Sequence, residues 1–244
     1  MMARITIFHT SDMHNKLTAE LADRLRDLKE KDPGSLMLDS GDAIWAGNVF
    51  WRPGGEPVLK LMNSVPYDAM CVGNREFHFL AVGMRSKTCR ADFPLLSANL
   101  RTAKRGRKLP TKPYEVFDRG GIRIGVFGLS VPCITERMLV KKVSDYYFDP
   151  PVPTAARILP ELSGKCDIVI ALTHIGVKQD RELAQKARGI DLILGGHTHE
   201  TTAEPEDTRI VHHGSSAHYV GKVQIDVHSG KAAVTNELIP LAKA

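Results

Sequence analysis

Short apolar, β-branched runs recur along the chain: Ile5 to His9, Leu36 to Leu38, Ala69 to Val72, Leu95 to Ser97, Ile122 to Leu129, Ile168 to Leu172, Ile190 to Leu194, Ile210 to His212 and Val220 to Val227. Runs of this length and residue type predict strands. Between several of them the apolar period lengthens from two residues to about 3.6. Leu17, Leu21, Leu25 and Leu28 form one stripe on a helix expected to stop near Pro33-Gly34. Further helices are expected from Pro57 to Ser64, from about Thr154 to Leu162, and from about Asp180 to Arg188, the last closed by Gly189. This alternation implies an α/β protein whose largely parallel sheet is covered by helices, with an antiparallel portion near the C-terminus. No repeat, low-complexity tract or long linker divides residues 1–244, so a single domain is expected.

Composition narrows the class. With 43% hydrophobic and 25% charged residues, the chain is not disordered, collagen-like or coiled-coil. No run approaches the roughly 18 apolar residues of a membrane span, and Met1 to Phe8 has no signal-peptide layout, so a cytoplasmic protein without a membrane partner is expected. Cys71, Cys89, Cys133 and Cys166 lie far apart without a Cys-x-x-Cys pair, which predicts reduced core thiols rather than a zinc ribbon or disulfide framework. The net charge of +5 suits an anionic substrate. Six of its basic residues fall in the run Arg101 to Lys112, which reads first as a solvated loop. Aromatic residues are not interleaved there, so nucleic acid stays open as a partner without being indicated.

The chemistry lies just past the strand ends. Five strands each deliver a metal-ligand residue type near the carboxyl end: Asp12-Met13-His14, Gly41-Asp42, Gly73-Asn74, His174 and Gly195-Gly196-His197-Thr198-His199. In open α/β sheets that edge is where ligands bind, so residues far apart in sequence can converge there. Taken singly, most pieces are bland: Gly-Asp is usually a turn, and a His after an apolar strand is usually a satisfied structural group. The ordered set is what chance rarely supplies. Nitrogen and oxygen donors without thiolates suit Mn, Zn, Fe or Co. Seven donors with one shared carboxylate give four to each of two divalent ions roughly 3.5 to 4 Å apart, a spacing that activates water and clamps a phosphoryl group.

In this order, Asp12-x-His14, Gly41-Asp42, Gly73-Asn74, His174 and Gly196-His197-x-His199 resemble the calcineurin-type metallophosphoesterases. Ile7 to His14, Leu61-Met62-Asn63 before Tyr67-Asp68-Ala69, Ala98-Asn99 and Gly121 to Leu129 resemble more closely the catalytic domain of the 5′-nucleotidase branch, over essentially the whole chain. The resemblance implies a four-layer α/β/β/α sandwich with mixed sheets. It implies one ion on Asp12, His14, Asp42 and His199 and a second on Asp42, Asn74, His174 and His197, with Asp42 the bridge. It also implies hydrolysis of a phosphate ester by metal-activated water. His9 reads as a supporting or core residue.

One motif departs from the family. Its Gly-Asn-His-Glu-Phe-Asp reads Gly73-Asn74-Arg75-Glu76-Phe77-His78 here, changing the positions where the family keeps a His near the leaving group and an Asp that orients it. Arg75 cannot release a proton, although its fork can clamp a phosphate oxygen. His78 is the candidate proton donor by chemistry and proximity, and the alternative is that it only begins the following helix. Many members of the branch continue into a second domain that supplies base-binding aromatics. Within these 244 residues, substrate choice is expected to fall to Trp45, Asn48, Phe50 and Trp51, to the basic run, and to His212-His213-Gly214 with His218. Adjacent strand residues point to opposite faces, so at most one of His212 and His213 is expected in the cleft. The expected activity is hydrolysis of a small phosphomonoester such as a nucleotide, with Asn74, Arg75 and His78 catalytic and Arg75 also binding substrate. A phosphodiesterase acting on cyclic-nucleotide or nucleic-acid-derived diesters and a catalytically impaired metal-binding scaffold stand as alternatives.

Overall fold

A computed structural model describes residues 3–104, 106–202, 209–228 and 231–241. Its strands are β1 (Ala3–Thr10), β2 (Leu36–Asp39), β3 (Ala69–Cys71), β4 (Leu95–Leu96), β5 (Leu100–Thr102), β6 (Tyr114–Arg119), β7 (Ile122–Ser130), β8 (Tyr146–Phe148), β9 (Ile168–His174), β10 (Leu192–Gly195), β11 (Ile210–His212), β12 (Tyr219–His228) and β13 (Lys231–Pro240). The helices are α1 (Ala19–Lys31), α2 (Pro57–Ser64), α3 (Ala81–Thr88), α4 (Pro151–Ser163) and α5 (Val177–Lys186). One large sheet has the order β13-β12-β1-β2-β3-β4, a second has β11-β10-β9-β7-β6, and β5 and β8 pair antiparallel in a small third. Strands β1 to β4 run parallel, as do β7, β9, β10 and β11, while β12, β13 and β6 add antiparallel edges.

Alternation of side chains across the strands builds three cores. Ile5, Ile7, Leu36 and Leu38 of the first sheet meet Ile124, Val126, Ile170, Leu172 and Leu194 of the second between the two sheets. The other face of the first sheet, with Phe8, Met37 and Met70, packs on α1, α2 and α3 through Leu25, Leu59 and Met84. The other face of the second, with Phe127, Val169 and Ile193, packs on α4 and α5 through Leu159, Leu162 and Leu183. The result is the expected α/β/β/α layering. No helix among the described residues is long and apolar enough to cross a membrane.

Several elements differ from the sequence-based expectation. Helix α5 starts at Val177, right after Gly176 at φ +88°, and so earlier than Asp180. Strands β5, β6, β8 and β13 and helix α3 lie outside the expected set: β6 is only half-buried, and α3 carries Gly83 and little apolar periodicity. Further antiparallel pairs therefore sit at β6–β7 and β5–β8, away from the C-terminus. All four cysteines are free, but only Cys71 is in the core: Cys133 and Cys166 are half-buried and Cys89 is exposed.

Candidate active site

Asp12 and His14 lie in the turn after β1, Asp42 after β2, Asn74 after β3, and His197 and His199 after β10, while His174 ends β9. Main-chain bonds stitch the first two turns together, Asp12 N–H to Gly41 O at 2.9 Å and His14 N–H to Asp42 O at 3.0 Å. Asp12, His14, Asp42, His197 and His199 all have positive φ, at 50, 48, 55, 82 and 59°. That conformation costs a non-glycine residue about 1 kcal/mol or more, and persists where the surroundings over-determine it. Glycine makes the close approach possible, since a Cβ on Gly41 would lie 2.6 Å from Gly73 N.

Asp42 stands at the centre. Its Oδ2 is 3.7 Å from His14 Nε2 and its Oδ1 is 3.4 Å from His174 Nε2. Asp12 Oδ2 accepts from the Ser11 hydroxyl and the His197 N–H, which leaves Oδ1 facing His199 Nε2 at 3.4 Å and His14 Nε2 at 3.9 Å. His174 Nδ1 donates to Ser40 O at 2.8 Å, so Nε2 turns to Asn74 Oδ1 at 3.2 Å and to Asp42. The His197 ring packs against His174 with centroids 5.1 Å apart, and His14 against His199 at 4.8 Å. All seven expected donors thus gather at one edge.

Asp12 Oδ1 and His14 Nε2 are buried without a hydrogen-bond partner among the described residues. Orphaned buried polar atoms are rare, and imidazole and carboxylate lone pairs converging on one space repel unless a proton or cation lies between them. Donor atoms of Asp12, His14 and His199, and of Asp12, Asp42 and His174, fall within 4.8 Å of one another. With only nitrogen and oxygen donors, these residues fit a borderline divalent cation. Burial works against the ionised Asp42, but the positive charge of His174, the nearby His14 imidazole and the bond from the Arg75 amide hold its carboxyl well below the usual range. Burial likewise opposes protonated His174, and adjacent Asp42 pushes it up to about 9.

Residues to which the sequence assigned no role hold this arrangement. Buried Glu76 accepts from the amides of Asp42 at 2.8 Å, Gly73 at 2.9 Å and Ile44 at 3.3 Å. Burial and the charge of Asp42 push it up to about 7. Its place three residues after Gly73 is the signal that marks it. Buried Lys87 donates to the carbonyls of Arg75 at 2.6 Å, Gly47 at 2.7 Å and Phe77 at 3.0 Å, and no sequence pattern marks it. His9 is a core residue as expected, bonded to Ser40 Oγ and His213 Nδ1, both at 2.6 Å.

Arg75 is at the cluster: its amide donates to Asp42 Oδ1 at 2.7 Å, Nε lies 3.4 Å from Asp42 Oδ2, and Nη1 donates to Trp45 O at 2.7 Å. Its guanidinium lies 4.7 Å over the Trp45 ring. His78 corrects the expectation of a proton donor. It is fully buried, Nδ1 accepts from Leu80 N–H at 2.9 Å, and Nε2 is left to donate to Val49 O at 3.1 Å. Both ring nitrogens are therefore spent on backbone. Trp51 packs on that ring at 4.8 Å. Neither His212 nor His213 joins the donors: both are buried, His212 against Asp180 at 2.9 Å and His213 between His9 and Asn236. The basic run is largely paired within the chain, Arg101 with Asp149, Lys104 and Arg107 with Asp145, and Lys112 with Glu115, while Arg105 lies outside the described residues.

The two sheets end in a shared nest of histidines and carboxylates with the donor chemistry of a metal centre, and residues 5–201 match the calcineurin-like phosphoesterase family, to which the chain belongs. Among curated relatives, a 5′-nucleotidase of Vibrio cholerae is 33% identical over 225 residues, covering 81% of this chain and 40% of that protein. A trifunctional nucleotide phosphoesterase, YfkN of Bacillus subtilis, is 28% identical over 263 residues, 91% of this chain and 18% of its own length. The fold matches a solved 5′-nucleotidase precursor from Thermus thermophilus with TM-score 0.82 at 23% identity, over 98% of this chain and 54% of that one. The chain thus spans about half the length of these proteins or less.

Proposed function

We propose that the chain hydrolyses small phosphate monoesters, nucleotides among them, with two divalent cations held by Asp12, His14, Asp42, Asn74, His174, His197 and His199. The observation that carries this reading is Asp42, whose two oxygens face different histidines, Oδ2 toward His14 and Oδ1 toward His174. That arrangement supports a carboxylate shared between two cations. Bound there, the cations would supply a nucleophilic water and neutralise charge on the phosphoryl oxygens. The nucleotide 5′-phosphate as substrate is supported by the names of the curated relatives.

The chain's own residues do the rest. Asn74 presents Oδ1 beside His174 Nε2, and the Ser40 carbonyl holds that ring in the matching tautomer. Arg75, fastened to Trp45 O and stacked on the indole, keeps a fixed positive charge at the rim to bind a phosphate oxygen. It stays protonated throughout, and His78 is engaged elsewhere, so neither assists departure of the leaving group.

The test is nitrophenol release from p-nitrophenyl phosphate and bis(p-nitrophenyl) phosphate by Mn-loaded protein, with a chelated control. Monoester turnover should dominate, stop with chelator and vanish in Asp42→Asn. Preference for the diester would replace the monoesterase reading with a phosphodiesterase, and no turnover by metal-loaded protein would leave a scaffold.

A further inference from the structure

The segment between β2 and α2 carries Trp45 and Phe50, which stand out at 58% and 65% exposure. The Trp45 ring lies 5.8 Å from that of His14, so the segment borders the metal-ligand cluster. Beside it opens a cavity of about 270 Å³ whose lining includes Asn15, Trp45, Gly47, Phe50, Arg52 and Glu56. Asn15 directly follows His14, which sets the cavity against the same side of the cluster.

Glu56 is the telling residue. It lines the cavity while only 2% exposed, and its Oε1 has no hydrogen-bond partner among the described residues. It immediately precedes α2 yet does not cap that helix with its side chain. A buried acceptor without a donor is costly, so this one is placed for a donor from outside the chain. The cavity is also prebuilt. His78 Nε2 holds Val49 O at 3.1 Å, Lys87 Nζ holds Gly47 O at 2.7 Å, Ser86 Oγ holds Arg52 O at 2.7 Å and Arg90 Nε holds Gly54 O at 2.5 Å. Four side chains thus fix the backbone from which Trp45, Phe50 and Glu56 project, and a fixed wall spares a ligand the cost of ordering it.

We propose that this cavity is the leaving-group subsite and takes a nucleobase bearing an exocyclic amino group. The ring lies on Trp45 and Phe50, and the amino N–H donates to Glu56 Oε1. The inference rests on the monoester reading and deepens it. Aromatic faces favour a planar ring over an alkyl alcohol. A carboxylate selects donors and repels phosphate, so the nucleotide enters with its phosphate toward the histidines and its base toward Glu56.

The test uses the native chain with adenosine and purine riboside, which differ only in the amino group. In metal-stripped protein, adenosine should quench tryptophan fluorescence saturably, with purine riboside binding roughly tenfold more weakly or worse. In Mn-loaded protein, kcat/KM for adenosine 5′-monophosphate should exceed that for purine riboside 5′-monophosphate by a similar factor. Glu56→Met should bring both ratios to about one. Should that variant not fold, Phe50→Ala on the exposed rim should weaken adenosine binding about fivefold or more. Metal-dependent ester turnover without discrimination between the two nucleotides overturns the subsite and leaves the phosphoesterase reading standing. Discrimination between the nucleosides without turnover of any ester overturns that reading, and the leaving-group role with it.

Discussion

Asp39 ends β2 with the Thr10 hydroxyl and the Gly41 amide as donors, at 2.6 and 2.8 Å. Burial nevertheless pushes its carboxyl up to about 8, with the charges of Glu76 and Asp12 adding to it. Unfolded, the group ionises near its ordinary 3.8, so the fold holds this proton more tightly. The stability it contributes is complete below about pH 4 and is lost as pH rises through about 8. Asp39→Asn keeps an acceptor for Gly41 and removes the titration. Urea unfolding at pH 5 and pH 8 should show the native chain losing more than about 1 kcal/mol beyond any loss in the variant, and equal losses would refute the assignment. At Arg75, substitution by His puts back a group able to give up a proton. A well-placed proton donor is worth about 10²- to 10⁴-fold, so Arg75→His should speed alkyl phosphates about tenfold or more relative to aryl ones, and an unchanged dependence on leaving-group pKa would count against unassisted departure. The seven donors were legible because ligand types stand at strand ends. The engagement of His78, His212 and His213 was not, because it depends on which carbonyls and side chains the distant backbone delivers.

Among the elements, the turn from Gly73 to His78 carries most of the site's precision. Gly73 packs so closely that an added Cβ would sit 2.5 Å from Asp42 N and 2.9 Å from Glu76 Oε2. Gly73→Ala should therefore leave far-UV circular dichroism intact while lowering Mn affinity about tenfold or more, the scale of losing a residue that orients ligands. Calorimetric titration reads it directly, and native affinity in the variant would show that the turn yields without cost. The strands that frame this turn were readable because burial on both faces leaves continuous apolar runs. Helix α3, whose Ser86, Lys87 and neighbouring Arg90 fasten the loop above the site, was not, because its contacts are mainly polar side chains reaching backbone carbonyls. Such bonds leave no periodic trace in sequence.

At the scale of the molecule, donors from both sheets meet, Asp12, His14, Asp42 and Asn74 from one and His174, His197 and His199 from the other. A cation bound there would tie the two sheets and bind only the folded chain. At a hundredfold excess over its dissociation constant it adds about 2.7 kcal/mol, and chelation should lower Tm by roughly 5 to 10 °C for a chain of this size. Asp42→Asn should melt at nearly the same temperature with and without metal, and a chelator-insensitive native melt would argue that no cation spans the sheets. The left-handed backbone at Asp12, His14, Asp42, His197 and His199 has a further reach, into how such a chain can change over generations. β-Branched residues are penalised there by the main chain alone, whereas Asn, Asp, His and Gly are tolerated. A lineage released from metal binding would accordingly drift at these five positions toward Asn or Gly before Val or Ile, and the decay of the site would be written first in that narrow alphabet.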